Sequence, residues 1–337
     1  MSARGTGRGT SAAPRQGAAR IAAPTAPGIA ARIASRGARA AHRAALVALL
    51  SAAGCGAHRA ASDARVPAPA ADAAVARPAP ATGASAASAG AAGPALLAAL
   101  AAGKVIDLTH TFDATTVYWP TEKEGFRLEV EHDGPTPGGW HYSANKIHAP
   151  EHGGTHMDAP VHFAEGRLPA DRVPLAALIG PAVVVDVTAR AAADRDYRVV
   201  PADLRRWEQA HGRIPDGAIV VMRSGWDARW PDRERVLGTA VPGDVANLHF
   251  PSFSLDAANW LLRERNVAGI AVDTPSIDYG PSKDFVVHRA MNGADKPGFE
   301  NLAGLGRLPE AGAVLVVLPM KVGGGSGGPA RVVAILP

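Results

Sequence analysis

Three histidines and an aspartate are concentrated in one short stretch of the chain. The run reads His-Gly-Gly-Thr-His-Met-Asp-Ala-Pro-Val-His-Phe over residues 152–163, and its ionisable residues are His152, His156, Asp158 and His162. Two glycines and Pro160 exclude a helix, so we predict a loop or extended chain. Because side chains alternate along an extended chain, His156 and Asp158 project to one side, and the glycines allow His152 to lie beside them.

Imidazole nitrogens and a carboxylate oxygen are ligands that suit Zn²⁺, Mn²⁺ or Fe²⁺. The single cysteine of the chain, Cys55, is remote from the run, which argues against a closed thiolate site of the structural kind. A lone loop histidine is most often held by backbone hydrogen bonds, but surface loops seldom concentrate so many ligand types. We therefore predict an open, catalytic metal site.

The run resembles the His-x-Gly-Thr-His-x-Asp-x-Pro-x-His-Phe signature of the metal-dependent cyclase family, which includes bacterial kynurenine formamidases and isatin hydrolases. Two later segments are similar to the downstream half of that pattern. One is 273–278 followed by a His and a Glu-Asn-Leu, and the other is 318–321 followed by a Gly-rich loop and Arg331. The resemblance extends over about 105–336 and excludes the N-terminal residues.

The resemblance implies a set of metal ligands. His152, His156 and Asp158 would hold one ion, and Asp158 would hold a second with His288 and Glu300 in members that use two. Taken alone, the last two residues would be read as ordinary solvated side chains. Family members use zinc or manganese, so the expected cofactor is Zn²⁺, as one or two ions, or Mn²⁺.

The same resemblance gives two residues a part in the reaction. His162 falls on the proton-transfer position, and Trp119 falls on an aromatic position that contacts substrate. From the residues alone, Tyr118 and Trp119 fit a pocket wall or the edge of the core equally well. A divalent ion would lower the pKa of its water, so that hydroxide attacks a carbonyl carbon while His162 delivers a proton to the leaving nitrogen. Ser224 and Cys55 lack the context of a nucleophile elbow.

We therefore expect an enzyme, a metal-dependent hydrolase of an aryl amide. The arylformamidase type converts N-formyl-kynurenine to kynurenine and formate. An alternative is a cyclic amide or lactone hydrolase of the isatin hydrolase kind, because the same groups can open both bonds. A hypothesis of another class is a non-catalytic metal-binding protein of the cell surface, which the presence of His162 disfavours. The resemblance also implies a homo-oligomer.

The elements that position these residues are predicted from hydrophobic patterns. Apolar runs predict strands at 104–110, 182–187, 218–222, 267–273, 313–318 and 331–336. The runs at 182–187, 218–222 and 267–273 show little alternation, which predicts strands that are buried on both faces. Alternating residues predict two antiparallel strands at 127–132 and 140–147. Helices are predicted over 95–102, within 167–179, over 201–211 with Pro201 in the first turn, and after the N-cap Ser254 to about 266.

These patterns predict one α/β domain with a mixed β-sheet, and the resemblance implies the swivelling β/β/α cyclase-like fold. Leu255, Ala258, Leu261 and Leu262 form the expected apolar stripe of the 254–266 helix. The Gly-rich segment 323–328 is predicted to be a flexible link between the last two strands.

Residues 1 to about 95 differ in composition from the rest of the chain. Eleven arginines and two aspartates give this segment a charge of +9, so the remainder carries about −5 of the total of +4. The basic character therefore belongs to the leader. We expect no nucleic-acid binding by the folded part, which has no basic stripe interleaved with aromatic residues.

Within the leader, arginines precede a short apolar run over 44–53, which Gly54 and Cys55 follow. This order is typical of a bacterial lipoprotein signal. The apolar run is too short to span a membrane. We predict an over-long signal segment over 1–54, a lipid anchor at Cys55, a disordered Ala/Pro-rich tether over 55–95 and a hydrolase domain over 96–337. The protein would then be exported and membrane-anchored. An Ala-rich tail on a cytoplasmic enzyme is the alternative, and Ala52 stands where lipoprotein signals usually have Leu.

Overall fold

A computed structural model describes residues 92–337. The predicted signal over 1–54 and nearly all of the predicted tether lie outside these residues. The described strands are β1 (Val105–Asp107), β2 (Arg127–Pro135), β3 (His141–His148), β4 (His156–Asp158), β5 (Ile179–Asp186), β6 (Arg198–Val199), β7 (Ile219–Arg223), β8 (Ser252–Phe253), β9 (Gly269–Val272), β10 (Gly298–Glu300), β11 (Val314–Pro319) and β12 (Gly327–Ile335). The α-helices are α1 (Ala92–Ala101), α2 (Leu175–Leu178), α3 (Thr188–Ala193), α4 (Pro201–His211), α5 (Arg233–Leu237), α6 (Leu255–Glu264) and α7 (Val286–Gly293). None of these helices has the length and apolar character needed to cross a membrane.

Eight strands form one sheet in the order β1-β12-β11-β5-β7-β9-β10-β4. β4 also pairs with β12, so the sheet closes on itself in the manner of a barrel. The four central strands β5, β7, β9 and β10 are parallel, whereas β4 and β11 run antiparallel to their neighbours. This mixed sheet in a single α/β domain confirms the predicted fold class.

The central strands are buried on both faces, as their apolar sequences predict. Val184 and Val221 belong to the cluster that fills the inside of the closed sheet. The alternate residues Val183 and Val220 belong to a second cluster with residues of α4 and α6. Because the side chains of a strand alternate between its faces, a continuous apolar run supplies both clusters.

Helix α6 confirms one prediction and corrects another. The side chain of Ser254 accepts a hydrogen bond from the backbone N–H of Ala257, as expected of an N-cap. The predicted stripe is displaced, since Leu255 is exposed while Ala257, Ala258 and Leu261 are buried. Leu255 is the first residue of the helix, and its Cα–Cβ bond points toward the N-terminal end and away from the packed turn.

The Gly-rich segment 323–328 also differs from its prediction as a flexible link. Its last two residues, Gly327 and Gly328, begin β12 and pair with β4. A Cβ atom on Gly327 would lie 2.4 Å from the carbonyl oxygen of Met157 and 2.6 Å from Cε1 of His152. Glycine is therefore needed here because two strands and an imidazole approach closely.

Strands β2 and β3 confirm the predicted antiparallel pair, and within the described residues each pairs only with the other. They form a hairpin whose large apolar side chains remain exposed. Leu128 and Ile147 face each other across the two strands.

Candidate metal centre

Strand β4 lies between β10 and β12, and its register determines which side chains meet. His156 is directly opposite Glu300 of β10. Asp158 is opposite Gly298 on one side and Gly327 on the other. The extended conformation predicted for the run is confirmed over His156–Asp158, whereas Pro160–His162 form a 3₁₀ turn. The Asp158 carboxylate lies between two positions that have no side chain.

Two polar residues fix the chain just before β4. The hydroxyl of Thr155 donates to the carbonyl oxygen of Asn301 at 2.7 Å. The Asn301 amide donates in turn to the carbonyl oxygen of Gly154 at 3.0 Å. Gly153 and Gly154 both have positive φ angles, of 148° and 56°, which favour glycine. The turn that brings His152 toward the strand therefore depends on these two glycines.

Five ligand-type side chains converge beside β4. His152 Nδ1 lies 2.6 Å and His156 Nε2 lies 3.2 Å from Asp158 Oδ1. His288 Nε2 lies 3.0 Å from Asp158 Oδ2 and 3.2 Å from Glu300 Oε1. Glu300 Oε2 lies 3.5 Å from His156 Nε2. The structure thus brings together all five residues that the resemblance assigned to metal binding.

Two of the imidazoles are held at the nitrogen that faces away from the cluster. His156 Nδ1 donates to the carbonyl oxygen of Gly154 at 3.0 Å. His288 Nδ1 donates to Asp278 Oδ2 at 2.8 Å, and the same carboxyl group accepts the backbone N–H groups of 287 and 288. With the far nitrogen committed as a donor, the near nitrogen of each ring is the one that could give a lone pair to a cation bound between the carboxylates.

Positive charge is needed between the buried carboxylates of Asp158 and Glu300. Burial alone would lower the pKa of His156, but Asp158 raises it to about 9. Burial likewise opposes the charge on His288, whose pKa is nevertheless raised well above the ordinary value by hydrogen bonds to Asp158 and Asp278. Burial and the neighbouring Asp158 raise the pKa of Glu300. One divalent cation would balance both carboxylates and accept the imidazole lone pairs, so the donor set fits such an ion.

His162 lies beside this cluster, at the end of the 3₁₀ turn Pro160–His162. Its ring stacks on His152 with centroids 3.8 Å apart and planes 17° apart. Burial lowers the pKa of His162 to about 4, so the imidazole is neutral at pH 7. Ligand atoms of His152, Asp158 and His162 also lie within 4.8 Å of one another, so the geometry is compatible with either proton transfer or metal ligation.

A cavity of about 210 Å³, open to solvent, lies over the cluster and is walled by aromatic rings. The Phe285 ring lies 6.1 Å from that of Trp119 and 5.0 Å from that of Phe163. Tyr118 also lines the cavity, but a Cβ atom on Gly153 would lie 2.1 Å from its ring, so Tyr118 supports the turn. Trp119, which the resemblance placed against the substrate, is among the residues that line the cavity.

The family model described as "Putative cyclase" matches residues 106–279. The chain belongs to the cyclase family. It is 32% identical to the isatin hydrolase of Roseibium aggregatum, with 62% of this chain and 79% of the relative covered. It is 28% identical to the kynurenine formamidase of Salinibacter ruber, with 68% and 96% covered.

Solved structures of isatin hydrolases are also similar to this chain. Isatin hydrolase A from Ralstonia solanacearum superimposes with a TM-score of 0.64 at 34% identity, covering 72% of this chain and 97% of the other. An isatin hydrolase bound to the product analogue thioisatinate superimposes with a TM-score of 0.65 at 30% identity, covering 74% and 99%. The family relationship and the donor set together show that this member of the cyclase family is a metal-dependent hydrolase.

The elements that carry the last two candidate ligands of this hydrolase are not among those predicted from the sequence. His288 lies on α7, whose buried residues include Val287 and Met291. Their spacing of four residues was a signal for the helix. Glu300 ends the three-residue strand β10, which is too short to show a pattern.

Three supporting residues of the centre were also missed. They are Glu151, Asp278 and Ser326, and each acts through contacts distant in sequence. The hydroxyl of Ser224 donates to buried Asp273 at 2.6 Å. Within residues 92–337 Ser224 contacts no histidine base, consistent with its exclusion as a nucleophile.

Proposed function

We propose that this hydrolase cleaves the amide bond of a flat aryl substrate, with cyclic aryl amides of the isatin type preferred. The observation that carries the proposal is the position of the aromatic cavity directly over the five convergent ligand-type side chains. Rings of Trp119, Phe163 and Phe285 are suited to a planar apolar body. The cluster below them is suited to polarise a carbonyl group.

His152, His156 and Asp158 would hold one divalent ion, with His288 and Glu300 placed for a second. Such an ion, zinc or manganese, supplies Lewis acidity toward a carbonyl oxygen and activates water. The chain's own residues position the ring against the aromatic wall and exclude bulk water from the buried carboxylates.

His162 is the proposed proton carrier. Its imidazole is neutral at pH 7 because burial holds the pKa near 4. Among the described residues, neither of its ring nitrogens is held by a hydrogen bond. It is therefore placed to take a proton from the attacking water and to give it to the nitrogen of the broken carbon–nitrogen bond.

The preference for a cyclic amide over N-formyl-kynurenine is supported by the charge of the cavity. Among the described residues, no arginine or lysine lines it, so no side-chain cation is present for the carboxylate of an amino-acid substrate. The second candidate, an arylformamidase acting on N-formyl-kynurenine, is supported by the kynurenine formamidases among the relatives.

The two candidate functions are distinguished by measuring the turnover of isatin and of N-formyl-kynurenine by purified protein that is loaded with Zn²⁺ or with Mn²⁺. We expect a higher kcat/KM for isatin than for N-formyl-kynurenine with at least one of the metals. A clear preference for the formamide would replace the first candidate by the second. Absence of turnover on both substrates, with metal bound, would contradict the proposed aryl amide class.

We also propose that the protein is exported and attached to a membrane through a lipid on Cys55. A basic segment, a short apolar run and Gly54-Cys55 support export and lipid attachment at Cys55. In a bacterial host, Cys55→Ser should move the protein from the membrane fraction to the soluble fraction. An unchanged distribution would favour the cytoplasmic alternative.

We also propose that the hydrolase forms a homo-oligomer. Supporting this, the β2–β3 hairpin exposes five large apolar side chains, each more than half exposed, namely Leu128, Val130, Trp140, Tyr142 and Ile147. A two-stranded hairpin alone is marginally stable in water, and exposed apolar patches commonly mark interfaces. A second copy of the chain is the proposed occupant, since most soluble oligomers pair identical surfaces.

A further inference from the structure

Glu151 and Ser326 lie behind His152, next to the ring nitrogen that faces away from Asp158. His152 Nε2 is 2.9 Å from the hydroxyl oxygen of Ser326. That hydroxyl is 2.5 Å from Glu151 Oε2, which also accepts the backbone N–H of Ser326 at 2.9 Å. The three groups form a short chain that ends at the candidate metal cluster.

The direction of the hydrogen bonds in this chain follows from what each group can donate. A carboxylate only accepts, so the single hydroxyl proton of Ser326 is donated to Glu151. The Ser326 oxygen must then accept from His152, which places the imidazole proton on Nε2. Nδ1 of the neutral His152 ring is then free of a proton and faces the cluster, 2.6 Å from Asp158 Oδ1, where a bound cation would take the place of a proton between the two atoms.

His152 differs from the other two imidazoles of the cluster because it needs a second residue to fix the position of its ring proton. His156 and His288 donate to a backbone carbonyl and to Asp278, and both partners can only accept. A serine hydroxyl can donate or accept. Without Glu151 the Ser326 hydroxyl could donate to His152 Nε2, and the imidazole proton would then occupy Nδ1, where it blocks metal ligation.

We propose that Glu151, acting through Ser326, fixes the tautomer of His152 and is a positioning residue for the divalent cation. The inference rests on the metal site of the proposed function. Among the described residues, the Glu151 side chain makes no hydrogen bond to the five ligand-type side chains, so its effect on the metal would pass through the Ser326 hydroxyl.

The first measurement is the affinity of the full-length chain for Zn²⁺, by competition with a chromophoric chelator. In Glu151→Gln the amide can donate to the Ser326 oxygen and free its hydroxyl to donate to His152. We expect zinc binding to weaken by about 10- to 100-fold, the size of effect usual for partners of ligating histidines. Asp171→Asn is the matched control, because Asp171 accepts from Gly324 in the same loop and does not contact Ser326 or His152.

A double-mutant cycle with Ser326→Ala tests whether Glu151 acts through the hydroxyl. Once that hydroxyl is absent, Glu151→Gln should weaken zinc binding no further. Nitrogen-15 NMR of the metal-free protein supplies a readout that a structural role would not change: the proton of His152 is expected on Nε2 in the unaltered chain and on Nδ1 in Glu151→Gln. Additive effects, a proton on Nδ1 in the unaltered chain, or equal losses in Glu151→Gln and Asp171→Asn would overturn the inference.

Failure of this inference is distinct from failure of the proposed function. If the unaltered chain binds zinc and Glu151→Gln binds it equally well, only the role of Glu151 is refuted. If the unaltered chain binds no zinc and no Mn²⁺, the metal centre itself is refuted.

Discussion

The chemistry of this hydrolase depends on a few side chains whose protons and lone pairs are assigned by their neighbours. In the cluster, Asp158 contacts three imidazoles, through Oδ1 to His152 and His156 and through Oδ2 to His288. No single contact would identify a metal site. The shared carboxylate and the commitment of the far ring nitrogens to other acceptors distinguish this arrangement from ordinary ion pairs.

The role of His162 can be tested by substitution. His162→Ala should lower kcat on the preferred aryl amide by about 10²- to 10⁴-fold, because a positioned proton carrier contributes that much. Bound metal, measured by elemental analysis, should remain unchanged. Loss of the metal together with activity would show that His162 is a ligand, as the proximity of His152 and Asp158 allows.

Gly153 tests the turn that supports the cluster. A Cβ atom there would lie 2.1 Å from the ring of Tyr118, at a φ angle of 148°. Gly153→Ala should therefore lower the free energy of unfolding by about 1–3 kcal/mol and weaken metal binding, since the turn must shift. Gly323→Ala is the control, because its Cβ atom would meet nothing within 4 Å. Equal urea midpoints for the two variants would contradict this account.

The sequence was sufficient to nominate the residues of the 152–163 run, because their ligand types are adjacent. It was insufficient for Asp278 and Ser326, whose importance comes from hydrogen bonds to His288 and His152 across the fold. Their types, an acid and a serine, are common in loops. Only the packing of the chain shows which of them face an imidazole.

At the level of elements, the helices and strands with strong hydrophobic patterns were predicted well, and the shortest elements were not. Helix α4 spans Pro201–His211, the predicted range. The central strands were found because burial on both faces requires continuous apolar runs. The short strands β4 and β10 are defined by pairing partners, and three residues carry too little periodicity for prediction.

One ion pair links two of the predicted helices. Glu208 of α4 accepts two hydrogen bonds, each of 2.7 Å, from Arg265, the residue that follows α6. Glu208→Gln should lower the free energy of unfolding at pH 7 by about 1–3 kcal/mol, because hydrogen bonds to charged groups are strong. Glu264→Gln is the control, since Glu264 is exposed and uses only its backbone carbonyl in this region.

The same ion pair predicts a pH dependence. The hydrogen bond from Arg265 holds the pKa of Glu208 below its ordinary value of 4.5. The folded protein therefore binds fewer protons at this carboxyl than the unfolded chain, so the stabilisation is complete above pH 4.5 and is lost as the pH falls through the folded value. Urea midpoints of the unaltered protein and Glu208→Gln should converge as the pH falls below 4.5. A constant difference down to pH 3 would contradict this.

At the scale of the whole molecule, the exposed hairpin is the surface through which we propose that copies associate. Leu128→Ser with Ile147→Ser removes two apolar side chains that face each other across β2 and β3. We expect this double variant to shift the mass measured by light scattering toward the monomer. Val241→Ser, at an exposed valine outside the hairpin, is the control. A monomeric unaltered protein would refute the proposed oligomer.

The central claim is that a divalent ion bound by the five-residue cluster is required for amide hydrolysis. The most direct measurement is titration of the metal-stripped, full-length protein with Zn²⁺ or Mn²⁺ while bound metal and turnover of the preferred aryl amide are followed together. We expect turnover to rise in proportion to bound metal, and Asp158→Ala, which removes the shared carboxylate, to lose both. Full turnover by the stripped protein, or unaltered metal binding in Asp158→Ala, would contradict the account.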